Sequence, residues 1–328
     1  VRAGTPSHAP PRRSRAAMAE GEEEEITSEP GFGASKYGFD HVGKSVLYEV
    51  DESGRVCTIT LNTPEKMNSM TPDLIQGACA AIAMAASDPD LRVVILTGAG
   101  KAFCAGGDVK GFAGQRPKKG APKRKPRPAP MDAAVWGLRA DAYSSELLRS
   151  MDKVTIAAIN GPCAGAGLSW ACACDLRFAV SGAKFTTAFV NVGLSGDFGG
   201  TWTLQRIVGA GKAREMYLLS DVYTSEEMER WGAVSKVLPD KAALMAHVGQ
   251  VAKKLAERAP VALQRIKANL NDAEGSSFSE HLNVESERHA KAGANPEMGI
   301  AAAAFVGKRT PDFSKVSMKR RPWMMSRL

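Results

Sequence analysis

No stretch of about 18 uninterrupted apolar residues occurs in the sequence, so no segment is long enough to cross a bilayer as a helix. No cysteine spacing suits a metal either. Cys172 and Cys174 stand close together without a second pair nearby, and Cys57, Cys79, Cys104 and Cys163 are scattered through apolar segments. All six read as reduced, buried thiols of an intracellular protein. Aromatic residues are sparse at 6%, and none is interleaved with the two longer basic runs, residues 1–17 and the stretch RPKKGAPKRKPRPAP from Arg116. A nucleic-acid surface would want both kinds of residue together on a folded face. The net charge of +8 therefore reads as solvated basic loops, with general attraction of anionic ligands as the lesser alternative.

What is present suffices for one large core: 328 residues, 44% of them hydrophobic. Residues 1–43 read as a disordered N-terminal segment. Residues 1–17 are arginine-rich without an acid, and Met18 opens the quite different MAEGEEEEITSEPGFGAS. Met18 thus reads as the start and 1–17 as translated leader, with an organelle transit peptide as the alternative. At the other end, Ser326-Arg327-Leu328 is a conservative variant of the terminal address read by the peroxisomal import receptor, on a tail (316–328) that also carries Lys319, Arg320 and Arg321. Peroxisome is the expected location and mitochondrion the alternative.

Between the ends, strand and helix signals alternate. SVLYEV and RVCTITLN flank DESG as a hairpin. TPDLIQGACAAIAMAA reads as a helix capped by Thr71 with Pro72 at its first position. RVVILTG and VTIAAING are buried strands. Trp136, Ala140, Tyr143, Leu147 and Met151 mark an amphipathic helix between them. Further on, RFAV and KFTT read as short strands, TSEEMERWG as a helix with Thr224 and Glu227 as a capping box, and AVSKVLP as a strand. From Lys241 the pattern is helical almost throughout. The sum is an α/β core over 44–240 with a helical region over 241–315.

Two glycine turns, FCAGGDVK and NGPCAGAG, each follow a buried strand and free the backbone for close approach to a ligand. Plain strand-to-helix turns are the simplest reading. Neither has the spacing of a nucleotide phosphate loop. Two peptide N–H groups from such turns suit a different task, holding a thioester oxygen as it becomes an enolate. In NVGLSGDFGGTW, Asp197 is a lone carboxylate among glycines and apolar residues, which by itself reads as a turn aspartate.

Taken together, KAFCAGGDVKGF, AAINGPCAGAGLSWACACDLRFA, VGLSGDFGGTWTLQRIVGAGKAREMYLLSD and EEMERWGAVSKVLP resemble the crotonase, or enoyl-CoA hydratase/isomerase, family in order and spacing over about residues 46–310. The resemblance implies a ββα spiral core, a C-terminal helical trimerisation region, a homo-oligomer (trimer or hexamer) and coenzyme A thioester substrates. It implies no metal and no cofactor, coenzyme A being part of the substrate. By the same resemblance the oxyanion-hole N–H groups fall on Gly107 and Ala166. Ala105, Asp108, Val109 and Phe189 fall in the substrate-binding stretches. Lys66 in PEKMNSM falls at a coenzyme A phosphate contact, and Phe305 and Lys308 in AFVGKRTPDF at contacts to the coenzyme A of a neighbouring subunit.

The catalytic acids are where the chain departs from the family. The two hydratase glutamates fall on Ser169 and Phe189, neither of which can move a proton as an acid or base in hydration. Asp197 instead stands where Δ3,Δ2-enoyl-CoA isomerases of the family carry their single acid, there a glutamate; ring-epoxide isomerases carry aspartate. Dienoyl-CoA isomerases pair such an aspartate with a second acid at the position of Phe189. Aspartyl dehalogenases add a histidine where Ala142 stands. The expected function is a one-acid isomerase shifting a double bond from C3 to C2 in fatty-acid β-oxidation, with a catalytically silent acyl-CoA binder as the alternative of another class.

Overall fold

The computed structural model describes residues 42–109, 130–316 and 318. The leader or transit peptide, all of the basic loop but Pro130, and the terminal tripeptide lie outside the described residues.

The hairpin forms as expected. Val46–Val50 (β1) and Val56–Leu61 (β2) pair antiparallel, and the turn is pinned by the Asp51 carboxylate, which accepts from Ser53 Oγ and from the N–H groups of Arg55 and Val56. Pro72–Ser87 (α1) begins where Thr71 accepts a hydrogen bond from Leu74 N–H. It leads to Val93–Gly98 (β3), a strand buried along its whole length. Met131–Ser150 (α2), Val154–Ile159 (β4), Cys163–Ala164 (β5), Ala166–Ala173 (α3), Leu176–Val180 (β6) and Lys184–Thr186 (β7) follow.

Tyr223–Thr224 (β8) and Lys236–Leu238 (β9) complete the strands. A large sheet runs in the order β1-β2-β3-β4-β6-β9, with every neighbour after the hairpin parallel. The short β5, β7 and β8 form a second sheet. The chain alternates between the two sheets and a helix, which is the spiral of ββα turns. Covered on both faces, the parallel strands read as continuous apolar runs. Their cores are Ile59, Val93, Leu96, Ile156 and Ala158.

Three differences from the sequence reading stand out. Gly200–Val208 (α4) and Ala210–Leu219 (α5) are helices to which the sequence reading gave no element, each entered through a glycine at positive φ, Gly199 and Gly209. In α2 only the C-terminal turns bury the expected stripe: Leu147 and Met151 are inside, whereas Trp136 is 66% exposed. Ser225–Arg230 (α6) carries the expected capping box, but Lys241–Ala256 (α7) is not part of an appended region. It buries Leu244, Val248, Ala252 and Ala256 in the main core, so by packing the core extends to Ala256.

Pro260–Ala273 (α8), Phe278–Gly293 (α9) and Pro296–Val306 (α10) complete the helices. The buried ammonium of Lys267 ties α8 to the core, donating to the carbonyls of Leu148 (3.2 Å) and Lys153 (2.8 Å) and pairing with Asp175 at 2.8 Å. Among the described residues no helix is long and apolar enough to cross a membrane.

Two buried asparagines fix the loop that follows β3. Asn68 Nδ2 donates to the carbonyls of Ala99 (3.0 Å) and Ala102 (2.8 Å), while its Oδ1 accepts from Thr63 N–H at 2.9 Å. Asn160 Nδ2 donates to Gly100 and Ala102 from the other side. Asn68→Ala strands several buried polar groups at once and is expected to lower stability by about 2–4 kcal/mol. Urea unfolding of the variant beside wild type measures this, and an unchanged midpoint would show these bonds to be immaterial.

Candidate active site

The two glycine turns meet. Gly106, at φ 82°, packs so closely on the other turn that a Cβ there would lie 2.8 Å from Ala164 O and 3.4 Å from Gly165 Cα. Gly165 itself has φ 52° and ψ −128°, a region open essentially to glycine alone. Cys104 and Cys163 bridge the turns as a short parallel pair, with Ala164 N–H donating to Cys104 O at 2.9 Å. Gly167 then lets α3 pack against Cys104, since a Cβ would stand 2.6 Å from the Cys104 Cβ.

Gly107 and Ala166 follow these contacts directly. Ala166 is the first residue of α3, where N–H groups have no intrahelical acceptor. Neither the Gly107 nor the Ala166 N–H donates to another described residue. Both line a cavity of about 200 Å³, together with Ala105, Val109, Phe189 and Asp197. The remaining wall is mainly apolar, from Met70, Ile75, Leu138, Val192, Leu194 and Phe198.

Asp197 is held there by a strained turn. Gly196 and Gly199 have φ of 103° and 75°, and Phe198 sits at φ 49° with its side chain buried edge-on to Trp170 at 5.6 Å. A phenylalanine in the left-handed region costs of order 1–2 kcal/mol, so this turn persists because its packing dictates it. The Asp197 Oδ1 atom is buried and, among the described residues, has no hydrogen-bond partner. Burial pushes the carboxyl up to about 6 from the usual 3.8. A turn-capping aspartate would spend its oxygens on nearby N–H groups; this one keeps an oxygen for the cavity.

A base must be ionised, so activity depending on Asp197 should fall about tenfold per pH unit below pH 6 and level off above about pH 7. The same raised value means that the neutral form favours the fold: that contribution is complete below about pH 4 and is lost as pH rises through 6. A pH profile of kcat/KM checks the first statement and thermal melts from pH 4 to 8 the second.

The hydratase positions offer no acid. Ser169 is 1% exposed and forms no part of the cavity wall, with its Oγ 3.4 Å from Gly165 O. Phe189 does line the cavity, its ring stacked on Tyr217. Burial also pushes the thiols of Cys104 and Cys172 up to about 12 and 11, so neither of these two is poised as a nucleophile. Among the described residues no group of histidine, cysteine and acid suits a metal.

Other expected contacts lie elsewhere. Asp108 is not on the cavity wall although both its neighbours are. Lys66 is exposed at the end of a short 3-10 turn, one residue before Met67, whose carbonyl accepts from Ala105 N–H at 3.0 Å. Phe305 is 85% exposed, and neither it nor Lys308 lines the cavity of its own chain. Trp202 is 39% exposed, with the guanidinium groups of Arg206 and Arg149 3.7 and 4.5 Å from its ring centroid.

Two features escaped the sequence reading. Residues 38–45, GFDHVGKS, do match the phosphate-loop spacing, but Ser45 leads into strand β1 rather than a helix and donates to Asp73 O, so the context of a phosphate cradle is missing. More important, a second carboxylate lines the cavity: Asp141, one helical turn from Leu138 on α2. Asp197 is therefore not the only acid there.

Residues 51–316 match the family described as enoyl-CoA hydratase/isomerase. The 1,2-epoxyphenylacetyl-CoA isomerase of Escherichia coli (strain K12) is 31% identical over 262 residues, 79% of this chain and 95% of the relative. A short-chain-enoyl-CoA hydratase of Clostridium acetobutylicum is 30% identical over 261 residues, 79% of this chain and 94% of the relative. The crystal structure of an enoyl-CoA hydratase from Polaromonas sp. JS666 superposes with a TM-score of 0.71 at 30% identity, covering 81% of this chain and 98% of that one. With its two sheets, its paired glycine turns and this extent of similarity, the chain belongs to the enoyl-CoA hydratase/isomerase, or crotonase, family.

Proposed function

We propose that the protein is an enoyl-CoA isomerase that shifts a double bond from C3 to C2 in fatty-acid β-oxidation. The observation that carries this reading is the buried, unpartnered Oδ1 of Asp197 in the same cavity as the Gly107 and Ala166 N–H groups. The thioester carbonyl sits between the two N–H groups, Asp197 removes a C2 proton, and the electron pair moves toward the carbonyl oxygen as a dienolate. The same carboxylic acid then returns the proton to C4. One carboxylate suffices, because no water is added and no atom lost. Removing one oxyanion-hole donor typically costs on the order of 10²–10³ in rate, so the pair of N–H groups carries as much of the chemistry as the acid.

Exposed apolar residues on α8 to α10, Leu270, Phe278 and Phe305 among them, support a homo-oligomer.

Hydration is the second reading, favoured by one observation: Asp141 puts a second carboxylate on the cavity wall. Paired absorbance assays with 3-hexenoyl-CoA and 2-hexenoyl-CoA separate the two. Isomerase activity predicts turnover of the first and little loss of the conjugated bond in the second. Hydration of 2-hexenoyl-CoA alone would overturn the proposal, and tight binding of both without turnover would point to a silent acyl-CoA binder.

A further inference from the structure

Tyr217, half-buried near the end of α5, does not line the cavity, yet it meets the residues that shape the turn around Asp197. Its ring stacks on Phe189, with centroids 6.2 Å apart and planes 8° from parallel. A Cβ on Gly196 would lie 3.5 Å from Tyr217 Cε1 and 3.9 Å from Phe189 Cδ2, so the residue before Asp197 rests against both rings. Further along the turn, a Cβ on Gly200 would lie 2.5 Å from the Tyr217 hydroxyl oxygen and 2.2 Å from Ser169 Oγ. Those two hydroxyls are hydrogen-bonded to each other, and Gly200 N–H donates to the Asp197 carbonyl at 3.1 Å. Two glycines that flank Asp197 therefore make room for one tyrosine.

The tyrosine is itself fixed. Thr187, on the cavity wall, donates from Oγ1 to the Met216 carbonyl at 2.8 Å and shares a 2.9 Å hydrogen bond with Ser220 Oγ, which pins the end of α5 on both sides of Tyr217. Burial above all, with Asp197 among the smaller causes, pushes the Tyr217 hydroxyl up, so it stays a neutral phenol and carries no proton in the reaction. The inner edge of its ring lies against Phe189 and Gly196. Water that reaches a carboxyl group favours the charged form, and a ring that keeps water away does the reverse. We propose that Tyr217 is a positioning residue for Asp197: its ring shields the carboxyl from bulk water, and its bond to Ser169 holds the Asp197 turn against α3. The turnover arm of this proposal rests on the isomerase reading, and its titration arm does not.

The titration arm reads the carboxyl itself, by carbon-13 NMR of aspartate-labelled protein, with Asp197→Asn assigning the signal. Wild type is expected to titrate near 6. Tyr217→Ala admits water and should bring the carboxyl down by about one pH unit toward the ordinary 3.8, whereas Tyr217→Phe keeps the ring and should keep most of the elevation. Among the described residues the other acid on the cavity wall is Asp141 on α2, and the Cys172 thiol acts on Tyr217 from α3; both variants keep both. Should Tyr217→Ala not fold, Tyr217→Leu takes its place, with a smaller change in the same direction. The turnover arm follows a label. With 3-hexenoyl-CoA deuterated at C2, Tyr217→Ala should deliver at most about half of the wild-type deuterium to C4, because water exchanges with the protonated Asp197, and should lose on the order of 10² in kcat with KM changed only a few-fold. Tyr217→Phe should recover most of both, the remainder being the share of the Ser169 bond.

A wild-type carboxyl titrating near 3.8 would overturn the proposal. So would a carboxyl unmoved in Tyr217→Ala and Tyr217→Leu, equal changes in Tyr217→Phe and Tyr217→Ala, or a lowered rate with wild-type delivery of deuterium, the mark of a merely structural role. If wild type turns over no 3-enoyl chain but the carboxyl moves as stated, the isomerase reading fails and the shielding of Asp197 stands.

Discussion

Replacing Asp197 with asparagine is expected to lower isomerase kcat by about 10²–10⁴, the usual contribution of a positioned acid or base, and to leave the dissociation constant for hexanoyl-CoA within a few-fold of wild type. The variant should also be more stable at pH 7. A carboxyl raised to about 6 by burial is ionised there at a cost, which the neutral amide avoids. Allowing for the partial exposure of the group, the gain is about 1 kcal/mol. Stability rising while activity falls is what a strained functional site predicts and a structural turn residue does not. An aspartate that merely capped the turn before α4 would keep both its rate and its stability, since asparagine caps about as well. Rates with 3-hexenoyl-CoA beside urea midpoints at pH 7 distinguish the two.

Gly106→Ala carries the second large effect. The added methyl would stand 2.8 Å from Ala164 O on a backbone at φ 82°, so the two turns must part. The next residue, Gly107, supplies one of the two N–H donors. Loss of that donor's aim should cost on the order of 10²–10³ in kcat, and the positive φ adds about 1–2 kcal/mol of instability. Gly182→Ala separates these contributions. It has a similar φ of 75°, with nothing within 4 Å of the new methyl. That variant should lose comparable stability and keep its rate. If both variants turned over 3-hexenoyl-CoA like wild type, the paired turns would not be an oxyanion hole.

Local chemistry explains how much of this was legible beforehand. The glycine turns were readable because glycine is demanded by backbone geometry, and geometry repeats in sequence as spacing. The parallel strands were readable because burial on both faces leaves unbroken apolar runs such as VVIL. Asp197 stood out only through its neighbours: alone it matched a turn, and the acids missing at Ser169 and Phe189 gave it weight.

Asp141 left no such trace. The apolar spacing of its helix pointed Tyr143 and Leu147 inward, and only the way α2 leaves the core at its N-terminal end brings Leu138 and Asp141 to the cavity. Helices α4 and α5 were hidden by the glycines that start them, which read as loop until their positive φ is known. Asn68 and Asn160 were invisible for the reason that makes them effective. Each joins backbone groups distant in sequence, and a lone asparagine in sequence reads as a turn.

The measurement that bears most directly on the central claim follows a proton. With 3-hexenoyl-CoA deuterated at C2 in ordinary water, a single Asp197 carboxylate that takes the C2 deuteron and delivers it predicts a conjugated product of unchanged composition with part of the deuterium at C4. A product heavier by one water, or a conjugated product with no deuterium at C4, would contradict it.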